Sequence, residues 1–209
     1  MKRFGKRGRS GVWVIAFLVV VGASLSAEAF TPYRLLVSAA KSPLKATVFA
    51  HDKRLKSQLR RALVVAVPDA TLSVSPYVFG GHGYLVGWVK DAEERNRLEQ
   101  AAQGIEGLKS MDVYLPIKPT GDDAPSSVDQ LELKTRVVAS IVGVMGTDQT
   151  NVSVSVLGSH VILLGVVDSA DQVHASTKAA EGTSGVSGVT SYLSVPPPAE
   201  RKLLGGLLP

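Results

Sequence analysis

Sliding the sequence against itself by 78 positions superimposes one half on the other without a gap, and a self-similarity of this kind restricts the fold more than any single motif does. Gly87 falls on Gly165, Gly104 on Gly182, Gly107 on Gly185, His82 on His160, Val89 on Val167, Leu115 on Leu193, and Ala101 and Ala102 on Ala179 and Ala180. In each half the two landmark glycines, Gly87 and Gly107 or Gly165 and Gly185, stand 20 residues apart. One small unit written twice must fold twice in the same way. The 209 residues, 45% of them hydrophobic and 20% charged, suffice for one ordinary core or two small ones.

The spacing of apolar residues assigns the elements of the unit. Leu55, Leu59, Leu63 and Val67 recur every four positions, as do Leu133, Val137, Ile141 and Met145, so each copy opens with an amphipathic helix. Leu72, Val74 and Val78 alternate with Ser73, Ser75 and Tyr77, and Val152, Val154 and Val156 alternate with Ser153 and Ser155, as in a half-exposed strand. Tyr84 to Val89 and Val161 to Val167 are continuously apolar, the pattern of a central strand covered on both faces. Gly80-Gly81 and Gly158 supply the turn that precedes them. A second helix is expected from about Asp91 to Gln103 and from about Asp168 to Ala180, and a last strand from Ser110 to Ile117 and from Val189 to Val195.

The predicted fold is therefore α+β: two tandem αββαβ modules, each a three-stranded mixed sheet with two helices on one face. The first module is placed at residues 45–117 and the second at 128–195, joined by a Pro- and Asp-containing linker at 118–127; residues 196–209 form a tail without a counterpart. Gly87 and Gly165 fall inside strands, where glycine weakens the element unless another group approaches closely, and are read as packing positions together with Gly107 and Gly185.

Residues 1–29 read as a secretion signal: Lys2, Arg3, Lys6, Arg7 and Arg9, then the apolar segment Val12 to Leu25, then Ala27-Glu28-Ala29, with cleavage predicted after Ala29. The apolar segment is shorter than the ~20 residues that a membrane span requires. An amino-terminal extension follows at 30–44. The formal charge of +5 shrinks to +1 beyond residue 29, from 18 basic and 17 acidic groups, so nucleic acid is not an expected partner. Cysteine is absent, which removes disulfides, thiolate metal sites and a lipid-modified cysteine after the signal.

With these residues in place the chain resembles the BON domain, the small module of bacterial osmotically induced and nodulation proteins. Both copies carry its landmarks. An amphipathic helix opens the unit, an apolar strand ends in glycine (Tyr84-Leu85-Val86-Gly87; Ile162-Leu163-Leu164-Gly165), and a Gly-hydrophobic-x-x-hydrophobic segment precedes the last strand (Gly107-Leu108-Lys109-Ser110-Met111; Gly185-Val186-Ser187-Gly188-Val189). The resemblance covers roughly residues 45–195. It implies a periplasmic protein that binds envelope components, often phospholipid surfaces, and supports outer-membrane integrity or osmotic-stress tolerance. Some two-module relatives are outer-membrane lipoproteins; a chain without cysteine is expected to be soluble, with reversible membrane contact.

The first helix carries Lys53, Arg54, Lys56, Arg60 and Arg61, with no acidic residue from Lys53 until Asp69. Residues 30–117 hold 12 basic and 8 acidic groups, net +4, and residues 122–209 hold 5 and 9, net −4. A solvated helix face, with attraction between oppositely charged modules, accounts for such a pattern. Contact with anionic phospholipid is the sharper expectation. The sheet face without helices, with Tyr84, Val86 and Trp88 or Ile162, Leu164 and Val166, is expected to dock one module on the other, since a monomer rarely exposes so much apolar surface. Trp88 at a membrane interface is the alternative.

Nothing in the chain resembles catalytic machinery. His51, His82, His160 and His174 are scattered, no Gly-x-Ser-x-Gly elbow or phosphate-binding glycine loop occurs, and Asp168 and Asp171 suit a helix start. A protein without turnover, metal or cofactor is expected. Two rival partners remain: a periplasmic protein client held at a sheet edge or apolar face, and a glycan, which Trp13 and Trp88 alone would serve poorly as stacking platforms.

Overall fold

A computed structural model describes residues 43–121, 124–145 and 152–196. The expected signal peptide, the extension up to residue 42 and the tail beyond residue 196 lie outside the described residues.

Helix α1 (Pro43–Ala66) buries Leu55, Leu59 and Leu63 along one face. It ends before Pro68, which cannot donate the amide bond that a continuing helix needs. A 3-10 turn (Pro68–Leu72) follows, closed by bonds from the Ala70 amide to the Val67 carbonyl (3.2 Å) and from the Ser73 amide to the Ala70 carbonyl (3.0 Å). This turn corrects one detail of the sequence reading. Leu72, whose alternation with Val74 suggested a strand, belongs to the turn and is 95% exposed. Strand β1 (Val74–Phe79) begins two residues later.

β1 and β2 (His82–Gly87) form an antiparallel hairpin in register from Val74 opposite Gly87 to Phe79 opposite His82. Its turn places Gly80 and Gly81 at φ values of 60° and 84°, a geometry that glycine adopts without steric cost. Helix α2 (Ala92–Gln103) carries the chain to β3 (Ser110–Tyr114), which pairs parallel with β2. The last strand is thus shorter than read from sequence, and Ile117 joins only through an isolated bridge to Val89.

The second module repeats this: α3 (Ser127–Met145), β4 (Val152–Leu157), β5 (His160–Val166), α4 (Ala170–Glu181) and β6 (Gly188–Ser194), with strand order β4-β5-β6. The offset of 78 extends to side-chain bonds. Asp91 accepts from the Glu94 amide at 2.8 Å while Glu94 reaches back to the Lys90 amide. Ser169 accepts from the Gln172 amide at 3.2 Å while Gln172 reaches back to the Asp168 amide. Each pair satisfies amides that a helix start leaves open.

Each module has a core between its helices and its sheet. Leu55, Leu59, Leu63, Leu98 and Ala102 meet Val74, Val78, Leu85 and Val89 in the first, and Leu133, Val137, Ile141 and Ala180 meet Val154, Val156, Val161 and Leu163 in the second. Alternation along the central strands sends their other side chains to the helix-free faces, and these faces meet. Tyr84, Val86, Leu157, Ile162 and Leu164 form a third buried cluster, rimmed by Tyr77, Phe79, Trp88, Tyr114 and Tyr192. Across the seam the rings of Tyr84 and Tyr192 stand 5.7 Å apart, and Tyr114 stacks on His160 at 5.3 Å and 6°. The central strands are apolar throughout because they are covered from both sides: by helices on one, by the other sheet on the other.

The landmark glycines sit where bulk is excluded. A methyl on Gly87 would lie 2.1 Å from the Ser73 carbonyl oxygen and 2.5 Å from the Val74 Cα, both backbone atoms. Its counterpart Gly165 has φ of 139°. Gly107 and Gly185, at φ of 94° and 93°, turn the chain toward the last strand directly over Leu55 and Leu133.

Candidate functional site

The outer surface of α1 follows from the same periodicity that buries Leu55, Leu59 and Leu63 inward. Lys53, Arg54, Arg60 and Arg61 are exposed. Lys56 is half-buried, its Nζ 5.3 Å from the centre of the Tyr77 ring, and Lys53 Nζ stands 5.3 Å from the ring of Phe49 one turn earlier. Asp52 is the only acidic residue of α1. Its carboxylate is turned to the hairpin and not to the outer face: Oδ2 accepts from the Gly80 amide at 2.8 Å and Oδ1 from the Gly81 amide at 2.9 Å. In the second module Gln130 takes the equivalent place, its Oε1 accepting from the Gly158 amide at 3.0 Å. A charged residue in one copy and a neutral one in the other thus perform the same task.

Sequence reasoning overlooked what lies beside this basic face. Val64 and Val65, one turn beyond Arg60 and Arg61, are 44% and 84% exposed, and the 95% exposed Leu72 follows on the 3-10 turn. A signal for them existed: the run Ala62 to Val67 is apolar on all sides and so exceeds what one helix face can bury.

The modules differ in this respect. The positions of Lys53 and Arg60 correspond to Leu131 and Val138 in α3, which also exposes Val128, Val142 and Val144. Arg54, Lys56 and Arg61 correspond to Glu132, Lys134 and Ala139, so the basic face of α1 is not repeated on α3.

Trp88 lies apart from the basic residues. Strand alternation puts it on the helix-free side of the first sheet, half-buried at the rim of the seam, with its ring near Gly158 in the β4–β5 turn of the second module. Its indole N–H is buried with no hydrogen-bond partner among the described residues, a local cost that the apolar contacts of the ring must offset. The sheet separates it from α1.

The described polar clusters are structural. His82 Nδ1 lies 2.7 Å from Ser110 Oγ and His160 Nε2 lies 2.8 Å from Thr190 Oγ1, each tying the central strand to the last one. A shallow depression beside β3 is lined by Arg95, Glu99, Tyr114 and Pro116, and Arg95 Nε donates there to the Leu115 carbonyl at 2.7 Å. Among the described residues no three His, Cys, Asp or Glu side chains are grouped to hold a metal ion, and no helix is long and apolar enough to cross a membrane. Burial raises the phenol pKa of Tyr84, Tyr114 and Tyr192 in the seam, and the Asp112 carboxylate adds to the effect at Tyr84 and Tyr192.

Comparison with known proteins finds the BON domain profile twice in this chain, over residues 51–117 and 129–197. No curated protein sequence matches it. Among solved structures, the C-terminal domain of CdsD, the structural protein of the type III secretion system of Chlamydia trachomatis, is 15% identical, covering 70% of this chain and 67% of its own, with a TM-score of 0.29. A second structure of CdsD is 15% identical, covering 76% of this chain and 70% of its own, with a TM-score of 0.30.

Proposed function

The chain belongs to the BON-domain family, and from that premise we propose that it is a non-enzymatic periplasmic protein whose α1 binds anionic phospholipid surfaces of the cell envelope, in support of outer-membrane integrity or osmotic-stress tolerance. The carrying observation is the exposed face of Lys53, Arg54, Arg60 and Arg61, with the one acidic residue of the helix committed to the hairpin turn. The arrangement of basic, apolar and small residues in 1–29 supports export.

A basic residue near an anionic membrane contributes about 1 kcal/mol, so four of them supply about a thousandfold in affinity at low salt. Screening shortens the reach of these charges to about 10 Å at 0.1 M salt. The test is co-sedimentation with vesicles of phosphatidylcholine alone or mixed with phosphatidylglycerol, at low and high salt. Binding confined to the anionic vesicles, weakened by salt and abolished by the combined Lys53, Arg54, Arg60 and Arg61 to Gln replacement, is the expected result. Equal binding by the parent and that variant would refute the assignment.

A protein client is the second reading, that of a chaperone-like or assembly adaptor. The exposed Val128, Leu131 and Val142 of α3 favour it. It requires saturable binding of a protein that is indifferent to lipid.

A further inference from the structure

We propose that the corner joining α1 to β1 is a membrane-inserting wedge, in which Val65 and Leu72 enter the acyl boundary of an anionic bilayer while Arg60 and Arg61 hold headgroup phosphates. The inference rests on the lipid-binding reading and gives it a mode: partial insertion rather than adsorption by charge alone.

The apolar residues of the corner are far more exposed than the leucines that α1 turns to the core. Leu72 is 95% and Val65 84% exposed, whereas Leu55, Leu59 and Leu63 are at 2%, 0% and 2%. The exposure is held in place. Val67, just before the turn, and Ala70, at its centre, are anchored in the core at 7% and 3% exposure, and the Val67 amide bonds the Leu63 carbonyl at 2.8 Å. Two further backbone bonds close the turn, so Leu72 projects from a braced support.

Charge selects the occupant. Arg60 and Val64, and Arg61 and Val65, are i, i+4 neighbours on the helix surface, so each cation stands one turn behind an apolar residue. A guanidinium can pair two phosphate oxygens while the neighbouring methyl groups pass below the headgroups, the division seen in interfacial amphipathic segments. Asp69, exposed on the same turn, is the only acidic residue between Lys53 and Leu72, and it keeps insertion shallow by staying in headgroup water. A protein partner would be served as well by Val142 and Val144 at the end of α3, but the positions there corresponding to Arg60 and Arg61 are Val138 and Ala139. The Arg60–Val64 and Arg61–Val65 pairs have no counterpart at the equivalent positions of α3.

The chain contains no cysteine, so Leu72→Cys and Val65→Cys each create a unique thiol for an environment-sensitive fluorophore, with Gln103→Cys at the exposed end of α2 as reference. On phosphatidylglycerol-containing vesicles, labels at 72 and 65 are expected to shift to the blue and to be quenched by lipid-borne quenchers, and the label at 103 to do neither. Unlabelled Leu72→Ser and Val65→Ser are each expected to bind about tenfold more weakly, the cost of losing one buried apolar side chain, with the salt dependence unchanged. Val142→Ser with Val144→Ser should bind as the parent does. Their exposure makes the substituted positions safe for folding, which far-ultraviolet circular dichroism monitors. Salt-sensitive vesicle binding with the labels at 72 and 65 remaining in water, and Ser variants binding as the parent does, would overturn insertion and leave charge-driven adsorption standing. Absence of any vesicle binding by the parent would overturn both.

Discussion

Replacing Ile162 by alanine separates the seam between the modules from the cores within them. Ile162 is 0% exposed although it projects from the helix-free face of its own sheet, so its burial depends on the other module. The substitution removes three carbon groups, worth about 0.8 kcal/mol each, or about 2.4 kcal/mol if the two sheets close over the gap. If they do not, a cavity of about 80 Å³ adds about 2 kcal/mol more, so the expected loss is between about 2.4 and 4.4 kcal/mol. The assay is urea unfolding in a Trp13→Phe background, which leaves Trp88 as the only tryptophan, followed by its emission and by far-ultraviolet circular dichroism. Loosening of the seam should move the native Trp88 emission to the red and pull the two transitions apart. Val161→Ala, at a 0% exposed position facing the second module's own core, should destabilise that module without changing native Trp88 emission. Loss of less than about 0.5 kcal/mol by Ile162→Ala, the scatter of surface substitutions, with unchanged emission, would refute a seam that contributes to folding.

Two further outcomes test the packing more locally. Gly87→Ala should cost about 1–3 kcal/mol or more, because the added methyl meets the Ser73 carbonyl and the Val74 Cα rather than a side chain that could rotate away; a thermal midpoint equal to the parent's would contradict this. The seam tyrosines should weaken the fold at alkaline pH. Since the folded pKa of Tyr84, Tyr114 and Tyr192 is raised above the ordinary 10.0, the native state keeps protons that the unfolded chain has released; stability is intact below about pH 10 and declines as pH rises through the folded values. Tyrosinate absorbance read beside stability should show Asp112→Asn lowering the Tyr84 and Tyr192 titrations part of the way, with the larger burial effect remaining; no change in either would refute the contribution of Asp112.

Part of the candidate site was legible in the sequence. The exposed face of α1 follows from Lys53, Arg54, Arg60 and Arg61 falling between the buried leucines of a 3.6-residue period. Lys56 did not stay on that open face, because its chain lies against Tyr77 of the neighbouring edge strand, a contact with no local signal. The role of Asp52 was likewise hidden: the amides it receives are 28 and 29 residues away, and nothing in the segment around it announces a hairpin turn. Leu72 was misplaced because one alternating step cannot distinguish the end of a turn from the start of a strand.

By itself the sequence determined the repeat, the order of elements and the inward face of each helix. All of these rest on near-neighbour geometry: the period of a helix or strand, the φ that a glycine permits, the amide that Asp91 or Ser169 can cap. Only the tertiary structure decided that Tyr84 and Val86 meet Ile162 and Leu164, that Trp88 belongs to this seam rather than beside the cations, and that Val65 and Leu72 are left uncovered. Apolar burial has no preferred direction and scales with the area removed from water. A strand's pattern can therefore show that both its faces need covering, while the surface that covers them is chosen by the fit of the whole.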